Sequence, residues 1–346
     1  MASPSAALFF LILAALGSAH KILVYQPKFA VSHVNFMGRI ADILVEEGHN
    51  VTALVSEIKP FMHDGTKHAH IIRVPGGVEI QHDLMTGALD MFDIPAWNLR
   101  VAMTISYIDG LWYSTQCRRL LSEPGLVQML KDEKYDAIIT ENFDHCGIGL
   151  SHLIEAKSLV TLTSFPTNDR LLSDLEAPRA PSYQISLVES SADPRSFWGR
   201  AYNLYLFLTC VEFLGKPVRM VQTVYDDLFP EMPSLSEIHS HAAVSFINSN
   251  PLTDVASPTL NKIVPIGGIA VIDPKPLEKK WLDILALRKR TAIVSFGSIA
   301  KSAYMKPIRK NAILNALAKF PDTTFIWKYE ELSDEFAKLN ASKFRI

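Results

Sequence analysis

Apolar residues in this chain fall into short, near-continuous runs that alternate with amphipathic stretches. His20 to Tyr25 (HKILVY) predicts a strand, and from Phe36 the apolar positions Phe36, Met37, Ile40, Ala41, Leu44 and Val45 recur at the spacing of one helix face. Gly48 stands where a helix C-cap belongs, and Val51 to Val55 (VTALV) predicts the next strand. The same order recurs at Tyr135 to Thr140, a helix from Gly147 to Ala156, and Leu159 to Thr163. A third copy runs from Thr291 to Phe296 and ends at Thr324 to Trp327. Its helix, over Met305 to Lys319, carries a stripe of Met305, Ile308, Ala312, Ile313, Ala316 and Leu317. Apolar strands alternating with amphipathic helices predict an α/β protein with a parallel sheet covered on both faces.

The segments between these units read differently. Residues 6–17 (AALFFLILAALG) form an apolar run too short to span a bilayer comfortably, and Gly17-Ser18-Ala19 follows it. This predicts a secretory signal peptide over residues 1–19, with an uncleaved anchor as the alternative. Entry into the secretory pathway gives meaning to two glycosylation sequons, Asn50-Val51-Thr52 and Asn340-Ala341-Ser342. Residues 165–195, rich in Pro, Ser and Asp, read as a long surface excursion. The apolar, aromatic run 201–214 (AYNLYLFLTCVEFL) is read as a buried core helix in preference to a helix touching membrane or a lipophilic ligand. Asp273-Pro274-Lys275-Pro276 resembles a linker, which divides the mature chain into domains at 20–272 and 273–346.

Composition narrows the function. At 346 residues the chain has room for two domains. Its 34 Lys and Arg against 36 Asp and Glu give a net charge of −2, which argues against a nucleic-acid binder. Its 48% hydrophobic and 20% charged residues argue against a disordered chain. The cysteines Cys117, Cys146 and Cys210 are too few for a disulfide framework, and no CxxC pair suggests zinc. His63, His68 and His70 with Asp64 match no common zinc spacing and read as a polar surface loop. His239 and His241 precede a strand with no partner visible in the sequence, so no metal is predicted.

In open α/β sheets, ligands bind outside the carboxyl ends of the strands, and each predicted unit places a distinctive loop there. The first, Gln26 to Asn35, offers Ser32 as a helix cap and His33 at the helix start; the second, Glu141 to Cys146 (ENFDHC), offers Glu141 and Asp144. A histidine with either carboxylate can serve as a general base with an orienting acid. The third loop, Gly297-Ser298, could bring N–H groups and a hydroxyl to a phosphate. Neither a GxGxxG nor a GxxxxGK pattern occurs.

Four phrases occur in a telling order: VSHVNFMGRIADILVEEGHNVTAL (31–54), FPEMPSLSEI (229–238), SFINSNPLTDVASPTLNKIVPIGGI (245–269) and AIVSFGSIA (292–300). Together with FIWKYE (325–330) they resemble the UDP-glycosyltransferases, particularly the animal UDP-glucuronosyltransferases, and ENFDHCGIG (141–149) most resembles the nematode branch. The resemblance implies a GT-B fold of two Rossmann-like domains, with a lipophilic acceptor on the first and a UDP-sugar on the second. It implies that His33 is the base activating the acceptor hydroxyl, in an inverting transfer that needs no metal or other cofactor.

Where the family usually has an aspartate partner this sequence has Glu141, with Asp144 close by; Gly297 and Ser298 are the donor-side residues that carry over. The resemblance further implies UDP-glucuronic acid or UDP-glucose as co-substrate, and a role in detoxification. It places a glycoprotein in the lumen of the endoplasmic reticulum, associated with its membrane and able to pair with relatives. The sequence stops at Ile346, ahead of the family's UDP-sugar signature, so the second domain is expected to be incomplete. The alternative expectation is an inactive short form that binds lipophiles or regulates full-length relatives.

Overall fold

Strand β1 (Lys21–Pro27) lies inside a seven-stranded parallel sheet, third from one edge, and its side chains from Leu23 to Tyr25 are fully buried. On one side it pairs with β2 (Asn50–Ser56), which pairs with β3 (His70–Val74). On the other side follow β4 (Ala137–Glu141), β5 (Leu159–Thr163), β6 (Val244–Ile247) and β7 (Ile263–Pro265). The strand order is therefore 3-2-1-4-5-6-7. The computed structural model describes residues 19–59, 62–76, 92, 99–183, 193–254, 258–298 and 300–340. The expected leader lies outside these residues, as does most of the second sequon; Asn50 opens β2 and is exposed.

Helix α1 (Val31–Glu46) covers β1 and β2 with Phe36, Met37, Ile40 and Ala41. It begins five residues before the stripe that predicts it, and its N-cap is Ala30; Ser32 lies inside the first turn and does not cap it. Gly38 lets the helix approach the backbone of Gly65 so closely that any side chain at 38 would collide with it. That contact fixes the height of α1, and hence of His33, above the sheet.

Helix α2 (Leu99–Leu121) packs along α6 (Phe197–Leu228), with Gly110 against Pro217 and Met220. The run 201–214 is not a buried core helix. Leu206, Thr209 and Cys210 pack inward while Leu204 and Leu208 are exposed, as are Phe197 (66%) and Trp198 (79%). A helix laid against one neighbouring layer buries only one stripe. No described helix is long and apolar enough to cross a membrane.

Two further expectations change. Within the supposed surface excursion, α5 (Asp169–Asp174) is capped by Asn168 and buries Leu171 and Leu172. Cys117 on α2 and Cys146, the first residue of α4 (Cys146–Leu153), form a disulfide that joins helices the sequence leaves unrelated. Short helices α3 (Leu126–Asp132) and α7 (Leu235–Ser240) complete this unit.

The described chain divides into two compact units between Ala270 and Val271. The second holds α8 (Lys279–Leu285), the parallel strands β8 (Arg290–Val294) and β9 (Thr323–Trp327), α9 (Pro307–Leu317) and α10 (Glu335–Asn340). Phe92, which the sequence boundary assigns to the first domain, belongs here and meets Phe296 edge to face. Trp327 is buried and donates its indole N–H to Ser302 Oγ at 2.9 Å. The stripe expected on α9 is not its buried face: Leu314 is buried but Ile308 is 76% exposed.

Candidate active site

With this strand order, the winding of the sheet reverses between β1 and β4, and that is where an open α/β sheet forms a crevice at its carboxyl edge. His33 lies in the first turn of α1, just beyond β1, and Glu141 is the last residue of β4. Ser164 directly follows β5, the next strand of the sheet. Three adjacent strand ends thus deliver an imidazole, a carboxylate and a hydroxyl to one place.

The three groups interlock. His33 Nδ1 is 2.8 Å from Glu141 Oε1. Ser164 donates to the same oxygen twice, from Oγ at 2.9 Å and from its backbone N–H at 3.1 Å. Its Oγ is also 2.8 Å from His33 Nδ1. Glu141 is fully buried and His33 is 3% exposed. Glu141 Oε2 has no hydrogen-bond partner among the described residues. Phe29, Phe143 and Phe165 surround the imidazole, with ring centroids 4.4, 5.4 and 5.2 Å away. Such a dry, aromatic wall lowers the local dielectric and strengthens the histidine–carboxylate interaction.

Asp144, the other candidate partner, is turned elsewhere. Its Oδ2 accepts the Tyr25 hydroxyl at 2.8 Å and its Oδ1 accepts the Cys146 backbone N–H at 3.0 Å. Burial pushes its pKa up to about 7 against the opposing effect of these hydrogen bonds. Burial likewise raises Asp109 on α2 to about 7, with the Lys59 charge opposing it. Next to Asp109 in the helix wall stands Tyr113, which meets Phe29 edge to face at 5.6 Å.

Gly297 and Ser298, the pair expected on the donor side, lie in the second unit. Gly297 follows β8 with φ of +82°, a left-handed turn suited to glycine, and Ser298 beside it is exposed. Lys328 Nζ donates to the Gly297 carbonyl at 2.5 Å. Asp64, beside His63, is held by Lys28 and Arg73.

The model of the UDP-glucuronosyl and UDP-glucosyl transferase family matches residues 20–344. The chain belongs to this family. Among its relatives, ugt-56 of Caenorhabditis elegans, which carries a UDP-glucuronosyltransferase name, is 29% identical over 93% of the chain and 62% of that protein. The 2-hydroxyacylsphingosine 1-beta-galactosyltransferase of Rattus norvegicus is 26% identical over 93% of the chain and 58% of its own length. The chain therefore spans less than two thirds of these relatives. The solved structure of the glycosyltransferase SnogD from Streptomyces nogalater matches with a TM-score of 0.50 at 12% identity, over 90% of this chain and 65% of that one. The fold is the α/β, GT-B type of the glycosyltransferases.

Sequence reasoning about this family member did not reach Ser164 or the three phenylalanines. The available signal was positional: Ser164-Phe165 follows a predicted strand at its carboxyl end, as the histidine and glutamate loops do. Nor did it reach Cys117–Cys146, because two cysteines 29 residues apart carry no pairing signal of their own.

Proposed function

We propose that this chain forms the acceptor side of an inverting UDP-glycosyltransferase that moves a sugar onto a hydroxyl of a small lipophilic compound. The observation that carries the reading is the buried 2.8 Å contact between His33 Nδ1 and Glu141 Oε1 at the switch point of the sheet. Glu141 holds Nδ1 as the protonated nitrogen and stabilises the imidazolium, which leaves Nε2 as the base. Nε2 takes the acceptor's hydroxyl proton as the oxygen attacks the anomeric carbon of the sugar. The bond to the diphosphate breaks on the opposite face, and its electron pair leaves with UDP. Ser164 locks the carboxylate in place from the side.

The donor in this reading is UDP-glucuronic acid or UDP-glucose, held in part through Gly297 and Ser298. The family match and the names of the nematode relatives support that choice. Phe29, Phe143, Phe165 and Tyr113 give the acceptor an aromatic wall suited to a lipophile. The Cys117–Cys146 disulfide fits the oxidising lumen of the endoplasmic reticulum, as does the leader-like N-terminus. Exposed Phe197 and Trp198 suit an enzyme that works against a membrane on lipophilic substrates. Conjugation would make such compounds water-soluble, the chemistry of detoxification. The test is sugar transfer by wild type and His33→Ala with UDP-glucuronic acid and a phenolic acceptor; equal turnover would remove His33 from the mechanism.

A further inference from the structure

A second cluster, which includes His145 of the Glu141–Cys146 loop, is not used by the transfer reaction. His145, Asp174 and His239 come from three separate elements: the residue before α4, the end of α5, and α7. All three are buried, and His239 is fully so. One ligand atom from each, a ring nitrogen or a carboxylate oxygen, lies within 4.8 Å of those of the other two. We infer that His145 Nε2, Asp174 Oδ2 and His239 Nδ1 form a binding site for a structural divalent transition-metal ion of the zinc type. This inference does not depend on the transferase reading, and the ion would take no part in sugar transfer.

Three observations support it. First, His145 Nε2 and His239 Nδ1 stand 3.4 and 3.5 Å from the same oxygen, Asp174 Oδ2. Charge-assisted hydrogen bonds close to about 2.7–2.9 Å, so these contacts are too long to be good ones. Ligands about 2.0–2.1 Å from a tetrahedral ion, by contrast, are spaced roughly 3.3–3.5 Å from one another. Second, both ring nitrogens of His239 and Nδ1 of His145 are buried with no hydrogen-bond partner among the described residues. Leaving a buried imidazole unbonded is costly, and an ion bound at Nδ1 would remove part of that cost. Third, a cavity of about 20 Å³ adjoins His145 and Asp174 and is lined also by Asn142 and Asn168. Arg170 lines it as well, and it is large enough for one water molecule beside His145 and Asp174.

Arg170 sets the limits of the site. It pairs with Asp174 through Nε to Oδ2 at 2.9 Å and through its terminal nitrogen to Oδ1 at 2.7 Å. Hydrogen bonds of this kind orient ligating carboxylates in metal sites. Its charge also opposes the ion, which leaves imidazole nitrogen as the main attraction. Two histidines and one carboxylate suit zinc or cobalt better than magnesium or calcium, which prefer all-oxygen sites.

The test is titration of the metal-stripped full chain with Co²⁺, followed by Zn²⁺ displacement, reading the visible absorption of four-coordinate cobalt and bound metal per chain. The expected result is one equivalent bound, with affinity at least tenfold weaker in His239→Gln and in His145→Asn, asparagine being chosen because position 145 has φ of 57°. Circular dichroism shows that each variant is folded. Wild type that takes up no cobalt overturns the inference. So does unchanged binding in both variants, which would assign the ion to the exposed histidines near His63.

Discussion

Tyr25 donates its hydroxyl to Asp144 Oδ2 at 2.8 Å, and Asp144 Oδ1 accepts the N–H of Cys146 at 3.0 Å. These bonds engage both oxygens of the carboxylate that the sequence offers as an alternative to Glu141. Tyr25 sits on β1 and Cys146 opens α4, so Asp144 ties the loop to its own sheet, while Glu141 meets His33 at 2.8 Å. Two acids in one six-residue loop thus have separate tasks.

Glu141→Gln is expected to lower turnover by about 10²-fold or more, close to the effect of His33→Ala, because a general base with its orienting group contributes roughly 10²–10⁴-fold. The double variant should be little worse than either single one, since the two act as a unit. Asp144→Asn should keep most of the activity. Steady-state kinetics of the four proteins decides the partner, and a larger loss in Asp144→Asn would reverse the assignment.

Ser164→Ala removes one of the two hydrogen bonds that Ser164 gives to Glu141 Oε1 and leaves the backbone one. A loss of about 1–2 kcal/mol of transition-state stabilisation is expected, or roughly 5–30-fold in kcat, with KM for the acceptor nearly unchanged. A change confined to KM would make Ser164 a binding residue.

Asp109 and Asp144 both have pKa values raised by burial to about 7, above the ordinary carboxylate value. Between pH of about 4 and 7 the unfolded chain loses these protons while the folded chain keeps them. Stability attributable to these two groups therefore falls as pH rises through that window and is flat above it. Lys59 and Tyr113 face Asp109, and neither reverses the sign. Asp109→Asn should flatten this dependence, gaining on the order of 1–4 kcal/mol relative to wild type near pH 8 over its value near pH 4. Denaturant unfolding at the two pH values measures it, and parallel curves would contradict it.

Breaking Cys117–Cys146 with a reductant, or replacing both cysteines by serine, is expected to cost about 2–4 kcal/mol, because the bond closes a loop between residues 29 apart. Reduced wild type and the double variant should melt together. A reductant-insensitive wild type would show that the bond does not form in the protein.

Gly38→Ala should destabilise the first unit by about 1–3 kcal/mol, since the added methyl runs into the Gly65 backbone, which has no flexible side chain to move aside. Because His33 rides on the same helix, activity should fall further than the folded fraction does. Unfolding curves and turnover measured on one preparation separate the two effects.

Much of the fold was legible in the one-dimensional pattern. β5 matches its predicted span, and the other predicted strands differ by a residue or two at their ends, because a buried parallel strand must be apolar on both faces. His33 and the loop holding Glu141 were also legible, since strand carboxyl ends are where such a sheet can bind ligands. Periodicity fails where burial depends on a distant partner. Leu204 and Ile308 look like core residues in their own segments and are exposed, because what covers a helix is set by other elements. Ser164, the choice between Glu141 and Asp144, the Cys117–Cys146 bond and the convergence of His145, Asp174 and His239 join residues from 23 to 131 positions apart. The sequence by itself determined which segments become strands and helices, because those choices rest on local spacing and burial. Only the tertiary structure decided which side chains meet, because strand order and helix height are set by packing across the whole sheet.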